Sequence, residues 1–200
     1  MLARASTPEA VRLALKHAII ASLEEEEASG YELSKRFDVS VANFWPATPQ
    51  QIYRELDRLE ADGLLSARLV EQTSRPNKRI FRVTGAGREE LGRFIESASK
   101  PTAIRDDLLV KVVALDDDNA ESVAAAIRER LEQSEAKLQL YLGIRSAMLG
   151  DLDEAGFLAS GGRIGNYLAL RRGISFEQDN QDWCRSSLDA IAERRTGVPG

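Results

Sequence analysis

Four side chains, Gln50, Gln51, Arg54 and Arg58, are of the types that read nucleic-acid bases, and their spacing sets them on one face of a helix. Glutamine offers the donor and acceptor that pair with adenine, and arginine the fork that pairs with guanine. Further on, Arg68, Arg75, Lys78, Arg79, Arg82 and Arg88 stand against Glu71 alone within residues 68–88. Cations so gathered neutralise phosphate and add affinity without reading sequence. A solvated hairpin face explains the cluster equally well from charge alone.

Other chemistries lack their parts. With one cysteine, Cys184, and one histidine, His17, there is no internal disulfide, no zinc site of Cys/His type and no cysteine- or histidine-based triad. Asp116, Asp117 and Asp118 invite a metal, but adjacent acids at a helix start are more often caps and dipole partners. Gly156, Gly161, Gly162 and Gly165 fit neither the P-loop nor the dinucleotide spacing, so residues 156–165 read as a turn and helix-packing region. The expectation is a protein that is no enzyme and holds no cofactor or metal.

Of the 200 residues, 43% are hydrophobic and 30% charged, the balance of a folded soluble chain. The net charge of −5 falls on residues 101–200, while residues 1–100 are electrically balanced. That excludes a protein coating nucleic acid over its whole surface and leaves one basic face. Apolar runs such as Ala18-Ile19-Ile20-Ala21 fall far short of the ~18 residues of a membrane span. Arg4, Glu9, Arg12 and Lys16 argue against a signal peptide, so a cytoplasmic protein without membrane contact is expected.

These side chains need elements to hold them. Thr7-Pro8-Glu9 opens a helix over about 8–24, carried by Leu15, Ala18, Ile19 and Leu23. Gly30 to Phe37 is long enough for two further turns, and Asn43 to Ala47 is a break because Pro46 disfavours helix before it. In Thr48-Pro49-Gln50-Gln51, Thr48 can cap the Gln51 N–H, Gln51 can reach back, and Pro49 fits the first helical position. The helix then buries Ile52, Leu56 and Leu59 and stops at Gly63. Strand-like runs at 64–72 and 78–84 flank a turn-rich tip at 73–77, and another helix follows Thr84. Helix, short helix, break, helix, hairpin, helix is a winged helix-turn-helix. Its helix after the break enters the major groove, and the hairpin tip, Arg75, Asn77, Lys78 and Arg79, lies along phosphates.

The residues resemble the PadR family of bacterial transcriptional regulators. The likeness is carried by Ala18-Ile19-Ile20, by Ser29-Gly30-Tyr31-Glu32-Leu33, by Gln51 through Leu64, and by Arg79-Ile80-Phe81-Arg82-Val83-Thr84-Gly85-Ala86-Gly87. It spans about residues 15–95 and continues more weakly through Ile104 to Lys111. The tail, Leu170 to Ile174 and Trp183, is similar to the longer subfamily that includes a virulence activator. The resemblance implies a homodimer on an inverted-repeat operator in double-stranded DNA, usually as a repressor, sometimes released by small phenolic or drug-like effectors. Carried over, it sets Gln50, Gln51, Tyr53 and Arg54 on the DNA side of the recognition helix, with Tyr31 and Ser34 holding the backbone. Tyr53, at the edge of the Ile52/Leu56 face, is also open to a core reading. Gln51 is open to serving the cap alone, and Arg54 and Arg58 to pairing with Glu55, Asp57 or Asp62. Any effector pocket is a family expectation, and Trp45, Phe176 and Trp183 read as core before lining.

Lys100-Pro101-Thr102 marks a boundary, giving a DNA-binding domain at 1–100 and a helical dimerisation domain at 101–200. In the second, a helix from Ile104 to about 115 precedes Asp118 and Glu121, spaced as a capping box. A long helix over 120–148 carries Ala124, Ile127, Leu131, Ser134, Leu138, Tyr141, Arg145 and Met148 in steps of three and four. That seam suits packing against a second subunit. Ser175 and Gln178 read as a second capping box, opening a final helix that ends at Arg194-Arg195. The expected fold is mainly α with a small β-hairpin wing. The competing function is a winged-helix protein–protein adaptor without a DNA target.

Overall fold

In the computed structural model of this chain the described residues are 8–37, 47–71, 77–99, 105–160 and 164–196. The chain divides into two compact units, Met1–Lys100 and Pro101–Gly200.

In the first unit, α1 (Pro8–Leu23) leads into a two-residue strand β1 (Ala28–Ser29) and a short helix α2 (Gly30–Arg36). Ser29 caps α2 reciprocally: its hydroxyl accepts from the Glu32 N–H, and its own N–H donates to the Glu32 carboxylate at 2.8 Å. The expected break at 43–47 lies outside the described residues except for Ala47. Helix α3 (Pro49–Ala61) opens on the Thr48–Gln51 box read in the sequence. It ends where Gly63 takes φ +72, so that the Leu64 N–H reaches the Leu59 carbonyl and the Gly63 N–H reaches Glu60. Strands β2 (Leu65–Val70) and β3 (Lys78–Val83) pair antiparallel with Leu65 opposite Val83 and Val70 opposite Lys78. Strand β1, missed in the sequence, adds to the other edge of β3 with Ala28 opposite Phe81. Helix α4 (Gly85–Glu96) follows. The core is Ile19, Ile20, Leu33, Phe37, Ile52, Leu56, Leu59, Leu65, Phe81 and Val83, joining three helices to the sheet. Each such side chain contributes about 1.5–3 kcal/mol relative to exposure.

The second unit departs from several sequence expectations. Helix α5 (Asp107–Val113) is shorter than expected because Asp106 caps it, accepting from the Leu108 N–H at 2.9 Å. The box expected of Asp118 and Glu121 does not form. Instead Asp116 accepts from the N–H groups of Asp118 and Asn119, and α6 (Ala120–Leu149) starts after Asn119 without a side-chain cap. The turn expected at 156–165 contains a short helix, α7 (Glu154–Ala159), capped by Asp153. The final helix does not open at Ser175. Helix α8 (Gly165–Thr196) runs through that position unbroken. The reason is a second seam, Tyr167, Leu170, Ile174, Glu177, Gln181, Cys184 and Ile191, all buried in steps of three and four or their sum.

Helices α6 and α8 pack antiparallel. Ala120, Ala124 and Ile127 share a cluster with Cys184 and Ile191, while Tyr141 meets Leu170 and Ile174. The buried positions of the α6 seam are therefore covered by α8 of the same chain. Midway, the Ser134 hydroxyl donates to the Glu177 carbonyl at 2.9 Å.

Candidate nucleic-acid interface

Helix α3 separates its two faces cleanly. Ile52, Glu55, Leu56 and Leu59 are buried, while Gln50, Gln51, Tyr53, Arg54, Asp57 and Arg58 are exposed. The amphipathic spacing fixes which side faces the core. The Thr48 hydroxyl accepts from the Gln51 N–H at 3.3 Å, and the Gln51 side-chain oxygen accepts from the Thr48 N–H at 2.8 Å. The cap uses the Gln51 side-chain oxygen and leaves its NH₂ donors to other partners on this exposed residue. Arg58 pairs with Asp62 at 3.7 Å, and Glu55 is buried and makes no ion pair with either arginine. Arg54 makes no ion pair among the described residues.

Tyr53 is 44% exposed, so it is not core, and its ring lies against Gly30 at the start of α2. Tyr31 is 65% exposed, with the Lys35 ammonium 5.9 Å from its ring centroid. Ser34 is buried at 8%, which takes it off the exposed surface expected for it.

The basic cluster is not bare. Lys78 sits 3.1 Å from Glu32, Arg68 pairs with Glu27, and Arg88 with Glu24 at 3.1 Å. Arg79 lies 2.7 Å from Asp57 and pairs with Glu60 as well, while Arg82 donates to the Ser66 hydroxyl at 3.1 Å. The Glu24–Glu27 run, Glu32 and the acids of α3 thus answer most of the cations that stood alone in the sequence. Asn77 is exposed at the root of the hairpin tip, and Arg75 lies outside the described residues. Glu32 is held at about 2 by the Ser29 N–H, then the Ser29 hydroxyl, then Lys78. It was not singled out in the sequence, although Ser29 and Glu32 carry the capping-box spacing.

His17 is buried, stacked on Phe94 at 3.9 Å with Nε2 3.1 Å from the Glu90 carboxylate, which makes it part of the α1–α4 packing. Among the described residues no cluster of three or more His, Cys, Asp and Glu side chains could hold a metal ion. Nor is any described helix long and apolar enough to cross a membrane.

Comparison with known proteins decides the family. Residues 19–93 match the model of the transcriptional regulator PadR-like family, and residues 104–192 match that of the virulence activator alpha C-terminal region. The chain is 34% identical over 193 residues to the Mycobacterium tuberculosis protein named "Probable transcriptional regulator Rv1176c", covering 92% of this chain and all of that one. The chain belongs to the PadR-like family of transcriptional regulators. The negative transcriptional regulator PadR of Bacillus subtilis is 26% identical over 88% of this chain and 97% of its own. Among solved structures, Bacillus subtilis PadR in complex with operator DNA superposes with a TM-score of 0.70, at 24% identity over 89% of this chain and 99% of that one, a likeness of fold. The Vibrio cholerae virulence activator AphA gives 0.64 at 27% identity over 92% and 99%. The PadR-like relatives are regulators and not enzymes, and their winged-helix fold with a helical carboxyl-terminal region is the one described above.

Proposed function

We propose that this PadR-like protein binds a specific pseudo-palindromic operator in double-stranded DNA as a homodimer and represses transcription. The observation that carries the reading is the α3 amino terminus. There, Gln50, the Gln51 NH₂ and Arg54 stand exposed on a helix fixed by a cap at its start, a left-handed glycine just past its end and a buried face. Such a helix enters the major groove with its first turns at the base edges. Tyr31, Tyr53, Asn77 and Lys78 flank it as groups for phosphate, joined by Arg58 and Arg75 in sequence. Two-fold symmetry would set two such helices about 34 Å apart on one DNA face. Repression is supported by the negative regulator from Bacillus subtilis, and DNA binding by that protein's complex with operator DNA. Its complex with p-coumaric acid supports release by a small aromatic acid. Action on DNA sets the protein in the cytoplasm of a bacterial cell, and residues 1–100 serve as the DNA-binding domain with residues 101–200 as the dimerisation domain.

The test is binding to a fluorescent duplex of the gene's own upstream region across a salt series, with random duplex as competitor. Binding that resists competitor and weakens steeply with salt supports the regulator. Failure to bind any duplex at low salt would favour the protein–protein adaptor.

A further inference from the structure

Arg79 was expected to lie along the DNA phosphates with the rest of the hairpin tip. Its surroundings assign it a different task. From β3 its guanidinium reaches back to α3, with Nη1 2.7 Å from Asp57 Oδ1 and Nη2 on Glu60 Oε2. The same group lies over the Phe81 ring at 4.9 Å from the centroid, and Phe81 belongs to the buried core. Asp57 and Glu60 are one turn apart on the helix, so one planar fork spans both. The three charges sum to a net negative group, which an incoming phosphate would meet as repulsion.

We propose that Arg79 is a positioning residue, clamping the wing strand β3 to the recognition helix α3 and so setting the angle between wing and helix, without itself neutralising a phosphate. This rests on the DNA-binding reading above. The clamp needs a planar, forked cation seated on an aromatic face. Lysine keeps the charge but offers a single point of attachment. A phosphate contact has the opposite requirement, since it needs the charge and tolerates a change of shape.

The experiment compares wild type, Arg79→Lys, Arg79→Gln and Asp57→Ala/Glu60→Ala as full-length proteins, on the upstream duplex and on random duplex, each across a salt series. Folding of each is checked by thermal unfolding. The clamp predicts that Arg79→Lys and Arg79→Gln lose specific affinity alike, by about tenfold, with an unchanged salt slope and little change on random duplex. It also predicts weaker specific binding for Asp57→Ala/Glu60→Ala, although that variant loses two negative charges beside the DNA. The proposal is overturned if Arg79→Lys binds as wild type. It is equally overturned if Arg79→Gln flattens the salt slope by about one on both duplexes, the mark of a lost phosphate contact. Tighter binding by the double alanine variant would overturn it from the other side of the pair. If wild type binds no duplex, the DNA-binding reading itself falls and the clamp's role falls with it. Loss confined to the variants separates the two.

Discussion

The ring of Tyr53 on α3 occupies the space where a side chain on Gly30 of α2 would begin. A Cβ built at Gly30 would stand 2.3 Å from Tyr53 Cε1 and 2.8 Å from Cδ1. The glycine is needed for this close approach and not for its backbone angles, since Gly30 is absent from the positive-φ positions. Gly30→Ala should therefore push the half-exposed ring aside and reorient the two helices at the interface. Net stability should change by less than about 1 kcal/mol, because alanine's gain in helix propensity offsets part of the displacement. Specific DNA affinity should fall. In a Tyr53→Ala background the same substitution should have no effect on affinity, and a double-mutant cycle reads that coupling directly.

Arg54 is the exposed arginine of α3 that carries no ion pair among the described residues, which suits it to a base edge. Replacing it with alanine should cost about 1–3 kcal/mol at one operator position and relax specificity there. Binding to a set of duplexes substituted one base pair at a time gives the answer. Equal losses on every duplex would mark Arg54 as a phosphate contact instead.

Gly87 presents the opposite case from Gly30, because backbone stands in the way. A Cβ there would meet the Leu64 carbonyl oxygen at 2.3 Å and Val83 Cγ1 at 2.8 Å. The same carbonyl accepts from the Thr84 N–H at 3.1 Å and from its hydroxyl at 3.0 Å, so it is pinned where the wing rejoins the helices. Gly87→Ala should destabilise the first unit by about 1–3 kcal/mol, as overpacking does. A lowered urea midpoint at unchanged slope is the expected signature.

Acid should loosen the α1–α4 contact. Glu90 accepts from Lys16 above all, then from Arg93, and lies beside His17, and these contacts lower its carboxyl from 4.5 to about 2. A carboxylate whose folded value lies below its unfolded one adds stability above the unfolded value. That contribution is lost as pH falls from 4.5 toward 2. Melting temperatures of wild type and Glu90→Gln should be furthest apart above pH 4.5 and converge as the pH approaches 2. A constant gap across that range would sink the assignment.

What could be read in the sequence followed from how far apart the interacting residues lie. Thr48, Pro49 and Gln51 form a motif four residues long, and it closes as the spacing says. The β2–β3 pairing is a near-neighbour hairpin and was equally visible. Strand β1 was not, because two residues carry no periodicity and their partners, Ile80 and Phe81, are some fifty positions away. The excess of cations over residues 68–88 was plain, but their compensation comes from Glu24, Glu27, Glu32, Asp57 and Glu60, on other elements. Likewise the α6 seam was legible, and so was the later part of the helix that fills it. That helix's start at Gly165 was not, because the Ser175–Gln178 spacing mimics a cap and the α8 seam carries Glu177 and Gln181 among its apolar residues.

Ser175 gives that last contrast a measurable form. As an N-cap it would satisfy the Gln178 N–H, and alanine there would cost about 1 kcal/mol. Within an unbroken α8 it is an exposed interior residue, one place past the buried Ile174. Serine is a poorer helix former than alanine because its hydroxyl competes for backbone hydrogen bonds. Ser175→Ala should then leave stability unchanged or raise it by about 0.5 kcal/mol. Helicity by circular dichroism should hold or rise with it. A loss near 1 kcal/mol with lower helicity would mean that α8 is broken in solution at Ser175, and that the seam from Tyr167 to Ile174 is held by a separate segment.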